Sequence, residues 1–483
     1  MNIENILKFS KTNKYVKFDM TSGVMSQNGG STWVAQVELG TPSQTVAMML
    51  DTGTLNTWVT SDTCTTDACS AHKSFSPEGS STFTISNKKP AIESFGPWGK
   101  MGVVFGRDVC HLTSSIEKAK LERLSIMLAT CYTGENFKEL VGDGGLCIPS
   151  VPDHEATAIL DLLCAQRVID RPIASFYWDK RLGVGECRMG SVNEELFLPH
   201  TLNILPLIKP FGKDIDYLWA VKLDLCSIDG QDVYKDSEEM QLVLDTGSSF
   251  FKGASDVIEP LISAVTCSGK RPIVVDNYEM LKSYPVINLT LGGVQYKLDP
   301  DQYFVKIKNS WVLAIQVLDG MPSRMLLVGQ VFLETVYSIF DAGSACRTHR
   351  SVILAEPIHK ALNVEGMWQN DFGSVLEVRK VEANGTFQGA YKSDTGATGK
   401  YPVVGVADPA PKSCQTVSFS VTWKSEVGAP DVSWHYVSGF TGILVKEKGE
   451  DILKGTFLLQ REVTQDVPIY EACSIISMVF KRK

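Results

Sequence analysis

A six-residue stretch, Met48-Met49-Leu50-Asp51-Thr52-Gly53, recurs 194 residues later as Leu242-Val243-Leu244-Asp245-Thr246-Gly247. Each copy is an apolar run that ends in Asp-Thr-Gly, and a hydroxyl residue follows each, Thr54 in the first copy and Ser248 in the second. Solenoid repeats have much shorter periods, of about 20–50 residues. The spacing therefore predicts two similar lobes, each of which contributes one Asp-Thr-Gly turn.

The sequence around these turns is mostly β in character. Residues Trp33–Leu39 alternate between apolar and polar side chains, and the cluster Gly40-Thr41-Pro42-Ser43 ends the run. One helical stretch stands out over residues 156–168, where Ile159, Leu160, Leu162 and Leu163 follow a near-helical spacing.

Composition and charge exclude several classes of protein. The 483 residues are 44% hydrophobic and 21% charged, which is ordinary for a globular protein. No apolar run reaches the roughly 18 residues of a membrane span, so we expect no membrane partner. The 46 Lys and Arg against 55 Asp and Glu leave a net charge of −9, and no basic patch interrupts it. We therefore expect no nucleic-acid partner.

The acidity is confined to the first part of the chain. Residues 1–364 contain 33 basic and 41 acidic side chains, whereas residues 365–483 contain 13 and 14. The second part also differs in pattern, because from Met367 onward it reads as seven or eight short strands with turns such as Asn384-Gly385 and Lys448-Gly449.

The 12 cysteines show no metal-ligand spacing, so we expect no bound metal. Cys64 and Cys69 lie five residues apart in a polar loop, which is compatible with a small disulfide loop. We expect most of the other ten to be buried, inert thiols. The first twenty residues lack the apolar core of a secretory signal, so either the protein stays inside the cell or a leader has been removed.

Paired Asp-Thr-Gly turns carry a definite chemistry. Two carboxylates about 3 Å apart share one proton, because both cannot ionise cheaply. One carboxylate can then act as a general base on water and the other as a general acid toward a carbonyl group. We assign these roles to Asp51 and Asp245, with the hydroxyls of Thr54 and Ser248 holding the carboxylate oxygens. The alternative is two unrelated aspartates that cap turns.

With these motifs the chain resembles the pepsin-like aspartic endopeptidases over about residues 30–356. The resemblance implies the acid–base dyad, a disulfide between Cys64 and Cys69, and peptide substrates that lie extended between two lobes. It is carried by five segments, which are Trp33 to Trp58, Cys64 to Cys69, Asp245-Thr246-Gly247-Ser248-Ser249, Leu327-Val328-Gly329-Gln330-Val331-Phe332 and Tyr337-Ser338-Ile339-Phe340-Asp341.

Two departures from that family affect the expected activity. The flap segment Ser94-Phe95-Gly96-Pro97-Trp98-Gly99 places Phe95 where the family has a tyrosine, so the hydrogen bond to Trp58 is lost and Trp98 is the candidate substitute. Cys147 stands where a glycine is usual. Two hypotheses follow: an active endopeptidase, or a catalytically weak or inactive protease scaffold that binds peptides or biotin.

The C-terminal segment from residue 366 to residue 483 resembles avidin and streptavidin. The resemblance is carried by Gly366–Ser374, Gly385–Tyr391 and Phe419–Lys424. A cyclic urea needs converging hydrogen-bond donors around its oxygen in a dry barrel mouth. The resemblance assigns the biotin-contacting positions to Asn370, Ser374, Tyr391, Ser393, Trp423, Ser433 and Phe457, and an inter-subunit position to Tyr470.

Three of the family's ligand contacts are altered. Its polar acceptor for one ureido N–H falls at Met478, and two wall tryptophans become Phe457 and Tyr470. A lost buried hydrogen bond costs about 1–3 kcal/mol, so we expect weakened biotin affinity. The alternative is a barrel that serves only for oligomerisation.

We therefore expect an all-β fold, in which a bilobal pepsin-like aspartic protease precedes an eight-stranded, up-and-down, avidin-like β-barrel. The expected boundaries are 1–205 for the first lobe, 206–358 for the second, 359–365 for a linker and 366–483 for the barrel. We expect protein or peptide substrates and no cofactor; biotin would be a ligand, and assembly into dimers or tetramers through the barrel is open. The family resemblance favours a secreted or vesicular location, and the sequence without a leader favours the cytoplasm.

Overall fold

A computed structural model describes twelve segments of the chain. The chain divides into two compact units, Met1–Trp178 with Val184–Ile358 and Asp179–Gly183 with His359–Lys483. The predicted lobe, linker and barrel boundaries stay a prediction, and part of the linker lies outside the described residues. The described residues are 14–113, 118–152, 158–180, 182–235, 239–343, 349–358, 362–394, 399–409, 414–423, 437–447, 450–460 and 473–483.

The first lobe is built from strands, as the alternating pattern predicts. The segment Trp33–Leu39 is a strand in which Gln36 is exposed while its neighbours Ala35 and Val37 are buried. Short 3₁₀ turns occur at Asp67–Ala71, Gly96–Trp98 and Glu135–Glu139. The strands are β1 Val16–Ser22, β2 Trp33–Leu39, β3 Gln44–Asp51, β4 Trp58–Thr60, β5 Thr84–Ile85, β6 Ala91–Ser94, β7 Lys100–Thr113, β8 Lys118–Tyr132, β9 Gly144–Cys147, β10 Ile173–Asp179, β11 Val184–Met189 and β12 Asn203–Pro206.

The second half of the protease region adds fourteen described strands: β13 Ala220–Lys222, β14 Leu225–Ile228, β15 Gln231–Tyr234, β16 Gln241–Leu244, β17 Phe251–Gly253, β18 Val274–Val275, β19 Ile287–Leu291, β20 Val294–Leu298, β21 Phe304–Ile307, β22 Ser310–Leu313, β23 Ile315–Val317, β24 Met325–Val328, β25 Tyr337–Asp341 and β26 Ser351–Ala355. Two 3₁₀ turns, Glu194–Leu196 and Pro199–Thr201, precede β12 in the chain.

Five α-helices occur among the described residues. The predicted helix is confirmed as α1, and it buries Ile159, Leu160 and Leu163 against the sheet core. The longest helix, α2, buries Val257, Ile258, Leu261 and Val265 on one face. The helices are α1 Ile159–Ala165, α2 Ser255–Val265, α3 Tyr278–Leu281, α4 Pro300–Tyr303 and α5 Gln330–Leu333.

One sheet of fourteen described strands joins the two halves of the protease region. Its order is β12-β26-β25-β10-β11-β1-β2-β3-β9-β4-β8-β7-β5, with β6 paired to β7. The late strands β25 and β26 therefore share a sheet with β1, near the start of the chain. Three smaller sheets complete the second lobe, in the orders β13-β16-β24-β17-β23, β15-β14-β19-β20 and β18-β22-β21.

The sequence repeat appears as a repeated strand arrangement. Strand β3 runs parallel to β9, with Asp51 opposite Cys147. Strand β16 runs parallel to β24 in the same way, with Leu244 opposite Val328. Each lobe thus ends an apolar strand at its Asp-Thr-Gly turn beside a second, parallel strand.

The C-terminal unit is a closed barrel of eight antiparallel strands in sequence order, which confirms the predicted fold class. Side chains alternate with period two, so Val417, Phe419 and Val421 point into its core. Gly385 has a φ of +85°, and a Cβ there would lie 2.2 Å from the Ala407 carbonyl oxygen, so the predicted Asn384-Gly385 turn needs glycine. The strands are β27 Gly366–Asn370, β28 Val375–Val381, β29 Thr386–Lys392, β30 Lys400–Ala407, β31 Gln415–Thr422, β32 Val437–Glu447, β33 Glu450–Gln460 and β34 Cys473–Arg482.

Within the described part of the chain, none of the helices has the length and apolar character required to cross a bilayer. The predicted turn at Lys448-Gly449 lies outside the described residues.

Candidate active site and barrel site

The two Asp-Thr-Gly turns meet, and their carboxylates are adjacent. Asp51 and Asp245 are 7% and 8% exposed, and their carboxyl groups are hydrogen-bonded to each other. A Cβ on Gly53 would lie 2.4 Å from Oδ1 of Asp245, and a Cβ on Gly247 would lie 2.3 Å from Oδ1 of Asp51. Each glycine therefore leaves the space that the carboxylate of the opposite lobe occupies.

Each turn also holds its own carboxylate from the backbone. The Gly53 amide donates to Oδ1 of Asp51 at 2.7 Å, and the Gly247 amide donates to Oδ1 of Asp245 at 2.8 Å. The two halves of the site are therefore related by an approximate two-fold arrangement.

The threonines of the two turns join the lobes, a contact that the sequence interpretation did not include. The amide of Thr52 donates to Oγ1 of Thr246 at 3.0 Å, and the amide of Thr246 donates to Oγ1 of Thr52 at 3.0 Å. The same hydroxyls donate onward, from Thr52 to the Leu244 carbonyl at 3.1 Å and from Thr246 to the Leu50 carbonyl at 2.6 Å. The threonine that both Asp-Thr-Gly copies share is the sequence feature from which this reciprocal contact could have been predicted.

The two predicted orienting hydroxyls lie in different surroundings. The hydroxyl and the amide of Thr54 both hydrogen-bond the Asp51 carboxylate. The hydroxyl of Ser248 donates instead to the Gly29 carbonyl at 3.3 Å. Ser248 thus contacts the segment that precedes β2, and its orienting role toward Asp245 stays a prediction.

Burial and mutual proximity change the ionisation of the pair. Burial and the neighbouring Asp51 carboxylate raise the pKa of Asp245 to about 7. Burial also raises the pKa of Asp51, while hydrogen bonds from Thr54 and Gly53 oppose that rise. Because the groups are coupled, the proton belongs to the pair. Below about pH 7 the pair therefore retains at least one proton.

The dyad lies at the floor of a cleft of about 550 Å³. Phe95 and Trp98, in the turn of the flap hairpin formed by β6 and β7, line this cleft together with Tyr217 and Leu318. A cleft of this size between two lobes is suited to an extended peptide.

The flap residues pack as an aromatic group. The Phe95 ring contacts Trp58 edge to face, with 5.6 Å between centroids, so an aromatic contact is present where a tyrosine hydroxyl would bond. Trp98 is buried, and its ring lies so close to Gly30 that a Cβ there would come within 2.5 Å of it. Trp98 therefore packs the turn of the flap hairpin against the segment before β2.

Cys147 lies beside the dyad. It is buried opposite Asp51 in the β3–β9 pair, and its amide donates to the Thr57 hydroxyl at 3.1 Å. Burial and the carboxylates of Asp51 and Asp245 raise the pKa of its thiol well above the ordinary value. The second lobe has Gly329 after β24, where a Cβ would lie 2.2 Å from the Ser248 carbonyl oxygen. The first lobe has room for a side chain that the second lobe lacks.

The cysteines follow the expectation in part. Cys64 and Cys69 form a disulfide. Cys110, Cys187 and Cys226 are buried free thiols like Cys147, whereas Cys131, Cys164, Cys267 and Cys414 are only partly buried, so burial holds for half of these eight free cysteines. Cys346 and the side chain of Cys473 lie outside what the structure describes.

The barrel brings several of its predicted ligand residues together. Nδ2 of Asn370 donates to the Tyr391 hydroxyl at 3.4 Å, and Oδ1 of Asn370 accepts from the Ser374 amide at 2.9 Å. Tyr391 also hydrogen-bonds Ser374 through their side chains. Asn370, Ser374, Tyr391 and Ser393 are all buried. The polar group therefore lies at one end of the barrel core.

The predicted aromatic walls surround the same tyrosine. Phe457 stacks on Tyr391 at 6.1 Å, and Trp423 contacts Tyr391 edge to face at 5.9 Å. Sδ of Met478 accepts a weak hydrogen bond from Asn370 at 3.4 Å, so the thioether lies within this polar group. Ser433 and Tyr470 lie outside the described residues.

Fold and site define a two-lobed β protein with a carboxylate pair in a cleft, and comparisons with known proteins give its family. Residues 32–348 match the model of the family described as eukaryotic aspartyl protease, so the chain belongs to that family. Residues 358–483 match the model of the avidin family.

Individual relatives are distant in sequence, but the matched region covers most of each relative's own length. The chain is 25% identical to cathepsin E of Aquarana catesbeiana over 320 residues, which are 65% of this chain and 77% of the relative. It is 27% identical to pepsin A of Sus scrofa over 308 residues, 63% of this chain and 77% of the relative. It is 26% identical to gastricsin of Cavia porcellus over 320 residues, 64% and 77%.

Proposed function

We propose that this protein is an aspartic endopeptidase in which Asp51 and Asp245 activate a water molecule against a peptide carbonyl. The observation that carries the proposal is the coupled carboxyl pair, buried and hydrogen-bonded at the floor of a peptide-sized cleft. Family membership supports the same reaction class.

The proposed chemistry follows from a pair that holds one proton. The ionised carboxylate takes a proton from water as the water oxygen attacks the carbonyl carbon, and the protonated partner stabilises the carbonyl oxygen. The tetrahedral intermediate then collapses when the leaving nitrogen receives a proton from the pair, and the C–N bond breaks. The hydrogen bonds from Gly53, Gly247 and Thr54 keep the carboxylates oriented throughout.

The test is cleavage of denatured haemoglobin or casein between pH 3 and 6 by purified wild-type protein and variants. We expect Asp51→Asn and Asp245→Asn to reduce cleavage at least about a thousandfold, because each removes one acid–base partner. Asp214→Asn is the matched control, since Asp214 is an exposed aspartate at the rim of the same cleft. Equal cleavage by wild type and Asp51→Asn would refute the assignment.

We also propose that the barrel binds biotin or a similar cyclic urea. The supporting observation is the preassembled group of Asn370, Ser374 and Tyr391, whose donors lie within one buried cluster beneath aromatic walls. Such convergent donors suit a ureido oxygen.

Titration calorimetry with free biotin tests this second proposal. We expect Tyr391→Phe to weaken binding about tenfold, and Met478→Asn to strengthen it about tenfold by supplying an amide acceptor. Ser418→Ala, on the outward face of β31, is the control. Absence of heat and of a thermal shift at millimolar biotin would exclude the ligand.

We propose in addition that the barrel assembles into homo-oligomers. Apolar side chains on its outward face are strongly exposed, with Val404 at 59%, Val406 at 52% and Ile475 at 74%. Val404 and Val406 lie on the same face of β30, and Ile475 of β34 lies opposite the exposed Leu458 of β33, so two apolar areas face outward from the barrel. Exposed apolar areas of this kind mark protein interfaces. We expect sedimentation of the full chain to give a dimer or tetramer, and Val404→Lys to dissociate it; a wild-type monomer would contradict the proposal.

A further inference from the structure

A lysine lies in the cleft next to the dyad. Lys252 lies on β17, is only 4% exposed, and lines the same cleft as Asp51 and Asp245. Its Nζ donates to the carbonyls of Asn28 and Gly29, at 3.0 Å each. Burying an ammonium group is costly unless it is paired and hydrogen-bonded. The two backbone carbonyls and the nearby Asp245 carboxylate supply these partners to Lys252.

These two carbonyls belong to a segment that crosses the second catalytic turn. The Gly29 carbonyl also accepts from the Ser249 amide at 2.9 Å, and the Ser31 amide donates to the Gly247 carbonyl at 3.1 Å. Gly247 is the residue whose missing side chain accommodates Asp51. Lys252 is therefore hydrogen-bonded to a segment that itself contacts the turn of Asp245 directly.

Lys252 acts on the dyad by its charge as well. The ammonium group lowers the pKa of Asp245, and Asp245 in turn opposes the fall that burial causes in the pKa of Lys252, which is lowered to about 8. Lys252 thus remains charged throughout the acid range. A fixed positive charge stabilises every step in which the pair loses a proton.

The other titratable groups around the dyad differ from Lys252. Burial and the dyad itself raise the pKa values of the Cys147 thiol and the Tyr217 phenol, so both are neutral at acid pH. Lys213 and Asp214, at the cleft rim, are exposed and of opposite charge. Glu93 faces the cleft from the flap, and Glu139 accepts a hydrogen bond from Asn28. Lys252 is the buried cation of the described cleft lining.

We propose that Lys252 is a positioning residue of the dyad, which holds the Asn28–Gly29 segment against the second catalytic turn and shifts the singly protonated dyad toward acid pH. The effect on activity rests on the proposed endopeptidase function. A residue that only supported the segment mechanically would leave the pH dependence of kcat/KM unchanged. A shifted pH profile therefore distinguishes the proposed role from a purely structural one.

The first test compares pH profiles of kcat/KM for wild type, Lys252→Gln, Lys252→Met and Lys252→Arg. We expect both limbs of the profile to move about one pH unit upward in the Gln and Met variants, which lose the charge. The Arg variant keeps the charge and should leave the limbs in place. Lower activity with unmoved limbs in both neutral variants would overturn the proposal.

The second test needs no catalysis and uses the intact chain. Lysines labelled with ¹³C at Cε are titrated by NMR, and the Lys252 signal is assigned by its loss in Lys252→Arg. We expect Lys252 to titrate near pH 8, about two units below exposed lysines, and lower still in Asp245→Asn. An ordinary titration above pH 10 in both proteins would overturn the proposal. Failure of the wild type to cleave any substrate would instead overturn the proposed function alone.

Discussion

The hydroxyls of Thr52 and Thr246 are as much a part of the site as its carboxylates. Each hydroxyl accepts a hydrogen bond from the threonine amide of the other turn. It also donates a hydrogen bond to a carbonyl of the strand that precedes the other turn. All four bonds are buried, so none can be replaced by water at low cost. The separation of Asp51 from Asp245 is consequently set by a contact one residue away from each.

Thr246→Val should separate this role from packing. Valine keeps the shape of threonine but leaves the Leu50 carbonyl and the Thr52 amide unpaired, so we expect a loss of about 1–3 kcal/mol in unfolding free energy. We also expect kcat to fall at least tenfold, because the carboxylates lose their spacing. Thr246→Ser retains the hydroxyl and is the control. A Val variant with wild-type stability and kcat would contradict the interpretation.

The dyad also makes stability depend on pH. The pKa of Asp245 is about 7 in the folded chain against 3.8 for a free side chain, so the folded lobes bind more protons than the unfolded chain between these values. Stability must therefore fall as pH rises through about 4 to 7, by up to about 4 kcal/mol.

Melting temperatures at pH 4.5 and 7.5 measure this effect. We expect Asp245→Asn to melt with a smaller pH dependence than wild type and to be the more stable protein at pH 7.5. Asp214→Asn should behave like wild type. Parallel pH dependences for wild type and Asp245→Asn would show that burial of Asp245 carries no such cost.

The aspartates could be predicted from the sequence because each ends a duplicated apolar strand, a pattern that is local and visible. Lys252 could not, because a single lysine after Phe250 and Phe251 looks like the exposed edge of a strand. Its acceptors, Asn28 and Gly29, lie more than two hundred positions earlier, at separations of 224 and 223. Only the fold brings them together.

At the level of elements, the flap departs from the pattern of the family that the chain belongs to. The hairpin of β6 and β7 was predicted to lack a hydroxyl at Phe95, and the structure places the Phe95 ring against Trp58 and, at 6.2 Å, against Phe137. The flap is thus anchored by ring contacts, which are worth about 0.5–1.5 kcal/mol each beyond area burial.

The effect of a substitution at Phe95 on kcat/KM should depend on whether an aromatic ring remains at that position. We expect Phe95→Ala to lower kcat/KM at least tenfold, since the flap loses both ring contacts and closes less often over the substrate. Phe95→Tyr keeps the ring and should retain wild-type kcat/KM or exceed it. Steady-state kinetics on a peptide substrate decide this, and an Ala variant as active as wild type would exclude the anchoring role.

The pairing of elements was the part of the fold least accessible from sequence. Individual strands such as β2, the helix α1 and the barrel strands follow periodicity, which is a local signal. The sheet that joins β1 with β25 and β26 depends on contacts between distant segments, and no local pattern encodes them.

At the scale of the whole molecule, the chain contains two units with separate hydrophobic cores. The protease core includes Trp33, Trp219 and Phe340, whereas the barrel core includes Trp368, Phe419 and Phe480. A unit with one hydrophobic core unfolds cooperatively, so two separate cores favour two separate unfolding transitions.

Differential scanning calorimetry of the full chain should therefore give two transitions. We expect Asp245→Asn to move only one of them and biotin to move only the other, because a ligand stabilises the unit that binds it. A single transition that shifts with both perturbations would show that the units unfold together.

The fit of each carboxylate into the space left by the opposite glycine also limits how this chain can evolve. A mutation that adds a methyl group at Gly53 or Gly247 displaces a carboxylate encoded at the other Asp-Thr-Gly turn. The residues around the two turns are thus not free to change separately. Selection must act on the two halves jointly, and drift is open only to positions away from this shared boundary.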